Sequence, residues 1–383
     1  MSRPCHGVSF GSRRVGATAR RGAALACVFA GVLVTGAATG SWPEAAGSGE
    51  PVPAAGPLPE RAEAVDDARE LVSRSGDRWA AAYSAEEYQS VELTLAGEYV
   101  GTGIAVISAA EGRIVVSEVH AGSPAERAGV LPGDELVTID GVPVTGRPVT
   151  DAVSRLRGSA GSEPAPAGST VLLGVERDQR VRSVEVERAR LTARTVTVTR
   201  DEPGVTRIHV SSFVEGSAEL VRAAARSAPP DDGIVLDLRG NTGGLLTEAA
   251  DAAAVFLDGG LVATYDVRGE QNALHAEPGG DTETPLVVLV DGGTMSSAEM
   301  LTGALQDRNR AVIVGSPTFG KGTVQLPDVQ PDGSVAELTV GRYAAPSGRT
   351  VDAEGIVPDL LVGPGEDAEE RAGNVLGGLA AGR

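Results

Sequence analysis

The stretch Val314-Gly315-Ser316-Pro317-Thr318-Phe319-Gly320-Lys321-Gly322-Thr323-Val324-Gln325 decides how the rest of the chain is read. It holds the only lysine among 383 residues; the other 32 of the 33 basic Lys and Arg residues are arginines. A chain that meets its need for positive charge with arginine does not need a lysine for solubility. Arginine stays protonated in proteins, whereas a buried lysine gives up its proton readily and can act as a base. Position 321 is therefore a candidate for an amine that must lose a proton. The plain alternative is chance survival of one lysine in a lysine-poor composition.

Upstream, Thr284-Pro-Leu-Val-Val-Leu-Val-Asp291 is a short apolar run that predicts a buried strand. It leads through Gly292-Gly-Thr-Met-Ser-Ser-Ala-Glu299 into a helical pattern over 300–308. Ser296 and Ser297 thus stand at a strand-to-helix junction. A helix N-terminus offers unpaired N–H groups and a positive dipole end, which suit a nucleophile that develops an oxyanion. Serine is also a common N-cap, which is the bland reading of the same residues. Arg310-Ala-Val-Ile-Val-Gly315 is a second strand running into the lysine loop. Gly315-xxxx-Gly320-Lys321 approaches a phosphate-binding loop, but that motif needs Ser or Thr after the lysine and a helix beyond. Here Gly322 follows, then a strand-like run broken by Pro327, so nucleotide binding is not expected. Of His6, His120, His209 and His275, none sits in a recognisable catalytic motif, although a triad is defined by geometry and not by sequence order.

These residues resemble the motifs of the C-terminal processing peptidases, or tail-specific proteases, which are serine proteases using a Ser/Lys pair without histidine. The resemblance rests on Thr294-Met-Ser-Ser-Ala-Glu299, Gln306-Asp307, Arg310-Ala311 and Thr318-Phe-Gly-Lys-Gly-Thr-Val-Gln325. It implies that Ser296 is the nucleophile, Lys321 the general base and Gln325 the residue that orients the lysine. The departure is Met295 and the order Ser297-Ala298, where the family has Ala and Ala-Ser; Ser297 stays open as the second candidate. Gly233-Ile-Val-Leu-Asp-Leu-Arg-Gly-Asn-Thr-Gly-Gly244 is a buried strand ending in a glycine-rich turn. Glycine lets a backbone amide approach a ligand closely. The resemblance implies that the amide of Gly243 or Gly244, with that of Ser297, stabilises the oxyanion. Taken alone the turn is equally a helix cap.

Composition narrows the function classes. A net charge of -19 argues against nucleic acid, since phosphate attraction needs basic patches. With 42% apolar but only 3% aromatic residues, the cores must be aliphatic. Both cysteines, Cys5 and Cys27, lie near the N-terminus, so no disulfide or thiolate metal site is expected in the folded body. No metal or other cofactor is expected. Residues 1–21 carry five arginines and no acid, and an uncharged apolar run follows over 23–38. This is the pattern of an export signal or an uncleaved anchor, placed at 1–41. A Pro/Ala/Gly-rich linker follows at 42–60 and a helical lead-in at 61–91.

Residues 92–187 predict a PDZ-like, β-rich module. Its marks are Tyr99-Val-Gly-Thr-Gly-Ile104, the Gly122-Ser-Pro-Ala-Glu-Arg-Ala-Gly129 helix block and the Pro132-Gly-Asp134 turn. PDZ domains add a peptide as an extra strand and hold its C-terminal carboxylate on loop amides. The matching loop is Gly101, Thr102, Gly103 and Ile104, with a groove helix over 149–157; a module that only packs is the alternative. The Ser/Lys core spans 188–362, and 363–383 is expected to be a flexible tail. The whole predicts an α/β (α+β) serine endopeptidase core with an inserted PDZ-like domain, exported, acting on proteins or peptides with apolar C-termini. Membrane contact is expected only through the N-terminal segment, and an activating partner or an oligomer is left open. A catalytically dead peptide-binding adaptor on the same fold is the second reading.

Overall fold

The structure, a computed structural model, describes residues 66–160, 164–200 and 203–381. The signal or anchor at 1–41 and the linker at 42–60 lie outside the described residues.

The chain opens with α1 (Asp66–Ser75), β1 (Ala81–Tyr83) and α2 (Ala85–Leu95). The inserted module holds β2 (Glu98–Gly101), β3 (Ile104–Ser108), β4 (Ile114–Val119), α3 (Pro124–Arg127), β5 (Glu135–Ile139) and β6 (Val142–Pro143). It closes with α4 (Val149–Arg157), β7 (Thr170–Arg177), β8 (Arg180–Glu187) and β9 (Ala189–Thr192). The core begins with β10 (Val196–Thr199), β11 (Val205–Val210), α5 (Ser217–Arg226), β12 (Gly233–Asp237) and α6 (Leu246–Ala253). It continues with β13 (Gly260–Val267), β14 (Glu270–Ala276), β15 (Leu286–Val290), α7 (Ser297–Asp307) and β16 (Val312–Gly315). It ends with β17 (Thr323–Val329), β18 (Val335–Ala344), β19 (Leu360–Leu361) and α8 (Ala368–Ala381).

The central sheet has the order β10-β11-β12-β15-β16-β19, with only the β10–β11 pair antiparallel. Every residue of β12 and β15 is buried. Strands covered on both faces read as unbroken aliphatic runs, which is what Ile234–Leu236 and Leu286–Val290 are. One face packs α5, α6 and α7 through Ile208, Leu236, Val288, Leu301 and Leu305. The carboxyl ends of the neighbours β12, β15 and β16 each feed a loop: 238–245, 291–296 and 316–322. In open parallel sheets ligand sites form outside these strand ends.

The second face corrects one expectation. Residues from 363 do not form a loose tail throughout: α8 lies on the sheet, with Ala372 and Leu376 buried against Val235, Val287, Leu289 and Val314. The glycines of this segment suggest disorder, but Ala368, Ala372, Val375 and Leu376 fall on one helical stripe. Gly233 admits the close contact, since a Cβ there would sit 2.9 Å from Leu376. The lead-in is likewise not one helix. After α1 the chain turns at Asp77–Ala80 and enters β1, which pairs with β18. That sheet has the order β1-β18-β13-β14, with β17 also on β18.

The inserted module has its own core around Ile114, Leu136, Ile139, Leu156 and Leu173. Its sheet runs β3-β4-β5-β7-β8, so β3 is an edge strand, and α4 packs beside it. The strands that enter and leave the module, β2 and β9, pair with each other.

Candidate active site

Ser296 is the N-cap residue of α7, held at φ 55° and ψ -121°. A positive φ outside glycine costs energy and persists only where the surroundings impose it, often at working sites. The surroundings here are explicit. The Ser296 amide donates to Glu299 Oε2 at 2.9 Å, and its carbonyl accepts from Met300 N at 3.0 Å and from the Tyr343 hydroxyl at 2.8 Å. The backbone is fully tied, yet Oγ, in a residue only 1% exposed, has no hydrogen-bond partner among the described residues. Ser296 and Glu299 have the spacing of a capping box, and its Glu299 half is made on the Ser296 amide. The Ser297 Oγ is also buried and without a partner.

Lys321 is 1% exposed, and its Nζ lies 2.6 Å from Gln325 Oε1 and 5.7 Å from the Trp79 ring centre. Gln325 is wholly buried on β17. Two buried residues sew the lysine loop to the serine. The Glu299 carboxylate accepts from the amides of Ser296 and Lys321 on one oxygen, and from the Gly320 amide and the Thr318 hydroxyl on the other, at 2.5–2.9 Å. Burial pushes the Glu299 carboxyl above its ordinary range, and the four donated bonds oppose that shift. The Tyr343 hydroxyl, 2.8 Å from Ser296 O and 2.9 Å from Lys321 O, shares its one proton between them. Glu299 closes the serine motif in the sequence and Tyr343 ends a strand segment, but neither carries a signal of this bridging. Apart from the Ser296 amide, three residues before Glu299, their partners are 19 to 47 residues away in the chain.

The glycine turn lies against the serine. A Cβ on Gly243 (φ 98°) would stand 3.0 Å from Ser296 Cβ, and one on Gly244 (φ 134°) would stand 2.1 Å from Phe213 O. Only glycine fits either position. The two amides differ. Gly243 N donates to Asn241 Oδ1 at 2.8 Å, while the Gly244 and Ser297 amides make no hydrogen bond among the described residues. Asn241 is fixed in turn by Val210 O at 2.9 Å and Met295 N at 2.8 Å.

The other candidates lie apart from this cluster. No histidine bonds to Ser296 or Ser297 among the described residues; His209 lies 3.9 Å from Asp237 and His120 3.4 Å from the Tyr99 hydroxyl. No cluster of three or more His, Cys, Asp or Glu side chains able to hold a metal ion occurs among the described residues. In the inserted module, Gly101 ends β2 and Ile104 begins β3, with Thr102 and Gly103 between them. Their carbonyls are taken by Ala125 N at 3.0 Å and His120 N at 2.9 Å, which pins the loop at the mouth between edge strand β3 and α4.

Comparison with known proteins places the family. The family model for peptidase family S41 matches residues 204–362, and a PDZ domain model matches 115–177. A carboxyl-terminal-processing protease of Synechocystis is 32% identical over 314 residues, covering 80% of this chain and 72% of that one. Its counterpart from Picosynechococcus is 34% identical over 317 residues, covering 80% and 74%. A crystal structure of a candidate S41 protease from Bacteroides fragilis covers 90% of this chain and 100% of its own at a TM-score of 0.51; at 19% identity the likeness is one of fold. With these relatives spanning both the α/β core and the PDZ domain, the chain belongs to the C-terminal processing peptidases of family S41 and is a serine-type peptidase.

Proposed function

We propose that this peptidase cuts with a Ser296/Lys321 pair and takes its substrates by their C-termini. The observation that carries the reading is the chain's single lysine, 1% exposed, its Nζ on Gln325 and its loop bound through Glu299 and Tyr343 to the backbone of Ser296. An ammonium in such a place is disfavoured, so the neutral amine is at hand as a base. Ser296 Oγ attacks the scissile carbonyl and gives its proton to Lys321 Nζ. The amides of Gly244 and Ser297 receive the oxyanion, a contribution of order 3 kcal/mol for each donor of this kind. Collapse of the intermediate breaks the C–N bond, and Lys321 returns the proton to the leaving amine. Water then attacks the acyl-enzyme by the same route, with Lys321 again as base. Gln325 keeps the amine aimed. No hydrogen bond joins Ser296 Oγ to Lys321 Nζ; catalytic bonds are often long in substrate-free sites and tighten when substrate binds.

Recognition falls to the free edge of β3 and the Gly101–Ile104 loop, where a peptide adds a strand and the Thr102, Gly103 and Ile104 amides meet its carboxylate. Apolar tails suit the aliphatic flank of α4. Export through residues 1–41 completes the reading, and a partner or oligomer that activates the enzyme is compatible with it. Among the described residues no helix is long and apolar enough to cross a membrane. Cell fractionation checks export: protein retained wholly in the cytoplasm, with residues 1–41 intact, counts against it. The chemistry is tested by cleavage of an unstructured peptide with an apolar free C-terminus, wild type against Lys321→Arg. Arginine keeps the charge but is no base. Loss of cleavage by a folded variant is expected; equal cleavage by both proteins rejects the Ser/Lys pair.

A further inference from the structure

We infer that the turn Asp77-Arg78-Trp79 of the N-terminal segment is a positioning element of the active site, holding Gln325 so that its oxygen faces Lys321. The inference rests on the Ser/Lys reading above and adds to it residues that lie outside both matched family models.

Gln325 has an amide with two unlike ends, and only its oxygen can accept from the lysine. Which end faces Lys321 is decided by what meets the other. That partner is the Trp79 backbone carbonyl, which receives a hydrogen bond from Gln325 Nε2. A carbonyl can only accept, so it forces the NH2 toward itself and the oxygen toward Nζ, 2.6 Å away. A flipped amide would set an oxygen against the Trp79 carbonyl and lose that bond, and its NH2 could bond to Nζ only by occupying the lone pair that the base needs.

The Trp79 carbonyl is placed by Asp77. The Asp77 carboxylate accepts from Trp79 N at 2.9 Å and from Thr339 N at 2.7 Å. Thr339 is the β18 residue opposite Gln325 on β17. One turn therefore grips a single rung of the β17–β18 ladder twice, through the Thr339 backbone and through the Gln325 side chain. Burial pushes the Asp77 carboxyl up, but the N–H bonds donated by Trp79 and Thr339 bring it below its ordinary range, as expected for a carboxylate in this role. The Trp79 ring stands 5.7 Å from Nζ and 5.6 Å from the Phe319 ring, closing the same side of the lysine. The bonds join residues 246 and 262 positions apart, so the N-terminal turn is an integral part of the base's setting.

The test is a double-mutant cycle on the full chain, with Asp77→Ala and Gln325→Ala alone and together, read as kcat and KM for peptide cleavage. A positioning residue changes kcat, and one that acts through Gln325 loses its effect when Gln325 is gone. We expect Asp77→Ala to lower kcat about ten- to hundredfold, with KM changed less than about twofold. On the Gln325→Ala background we expect it to change kcat by less than about twofold. An equal loss on both backgrounds, or an unchanged kcat for Asp77→Ala, overturns the inference. Asp77→Asn keeps the side-chain volume and one acceptor oxygen, and it gives the same pattern with a smaller loss if the alanine variant does not fold. Lys321→Arg assayed alongside separates the two claims: full activity there removes the Ser/Lys reading itself, whereas its loss with an additive Asp77 cycle removes only the positioning role.

Discussion

Replacing Glu299 by Gln changes one atom and tests how the serine and the lysine loop are held together. The carboxylate accepts four bonds, two on each oxygen, and each of the four partners donates. A glutamine offers one acceptor oxygen and one NH2. The Thr318 hydroxyl can rotate to accept, so the least costly placement turns the NH2 toward Thr318 and Gly320 and keeps the oxygen on the Ser296 and Lys321 amides. The Gly320 N–H then faces another N–H in a buried site, which costs about 1–3 kcal/mol. The surviving bonds also lose their charged acceptor, and charge-assisted bonds are roughly twice as strong as neutral ones. A total near 3 kcal/mol predicts a fall in Tm of roughly 6–12 °C. The Gly320–Lys321 turn should shift with it, so kcat falls about tenfold or more while KM moves little. Thermal unfolding and peptide cleavage of Glu299→Gln measure both. The opposing case is a protonated Glu299, which burial favours. A protonated acid already carries one donor, and Gln would then be its close mimic. A variant with unchanged Tm and unchanged kcat would mean that the carboxyl is neutral and that the four-bond argument is wrong.

Two further outcomes follow from the packing. Leu376→Ala should destabilise the protein by about 2–4 kcal/mol, as expected for a buried leucine, with kcat unchanged below the melting range. An unaltered Tm would mean that α8 leaves the sheet in solution, as a flexible tail would. Tyr343→Phe removes the hydroxyl between Ser296 O and Lys321 O and should cost about 1–2 kcal/mol together with a loss in kcat; stability and kcat both equal to wild type would show that this bridge is idle.

What the sequence discloses about this site depends on how far each signal reaches along the chain. The three loops are legible because each follows a short aliphatic run, and such runs predict buried strands whatever surrounds them. Parallel strands place their carboxyl ends on one edge, so Gly243–Gly244, Ser296 and Lys321 converge once the strands are recognised. Lys321 stands out by composition alone, and Gln325 follows it by four residues. The choice between the Gly243 and Gly244 amides is not legible, because it turns on Asn241 Oδ1, a bond set by backbone angles at φ 98° and 134° that a run of glycines does not encode. Glu299, Tyr343 and Asp77 are harder still. Each is an ordinary acid or aromatic in its local stretch, and each works mainly through backbone groups, most of them brought to it by the fold. Backbone amides and carbonyls are the same at every position, so a residue whose task is to bind them leaves no pairing pattern in one sequence. The tail fails for the opposite reason: its glycines are a strong local signal, and the apolar face of the sheet that overrides it belongs to residues 235–314. The candidate reactive groups can thus be named from short motifs, whereas the groups that tie their backbones together emerge only once the strands are in register.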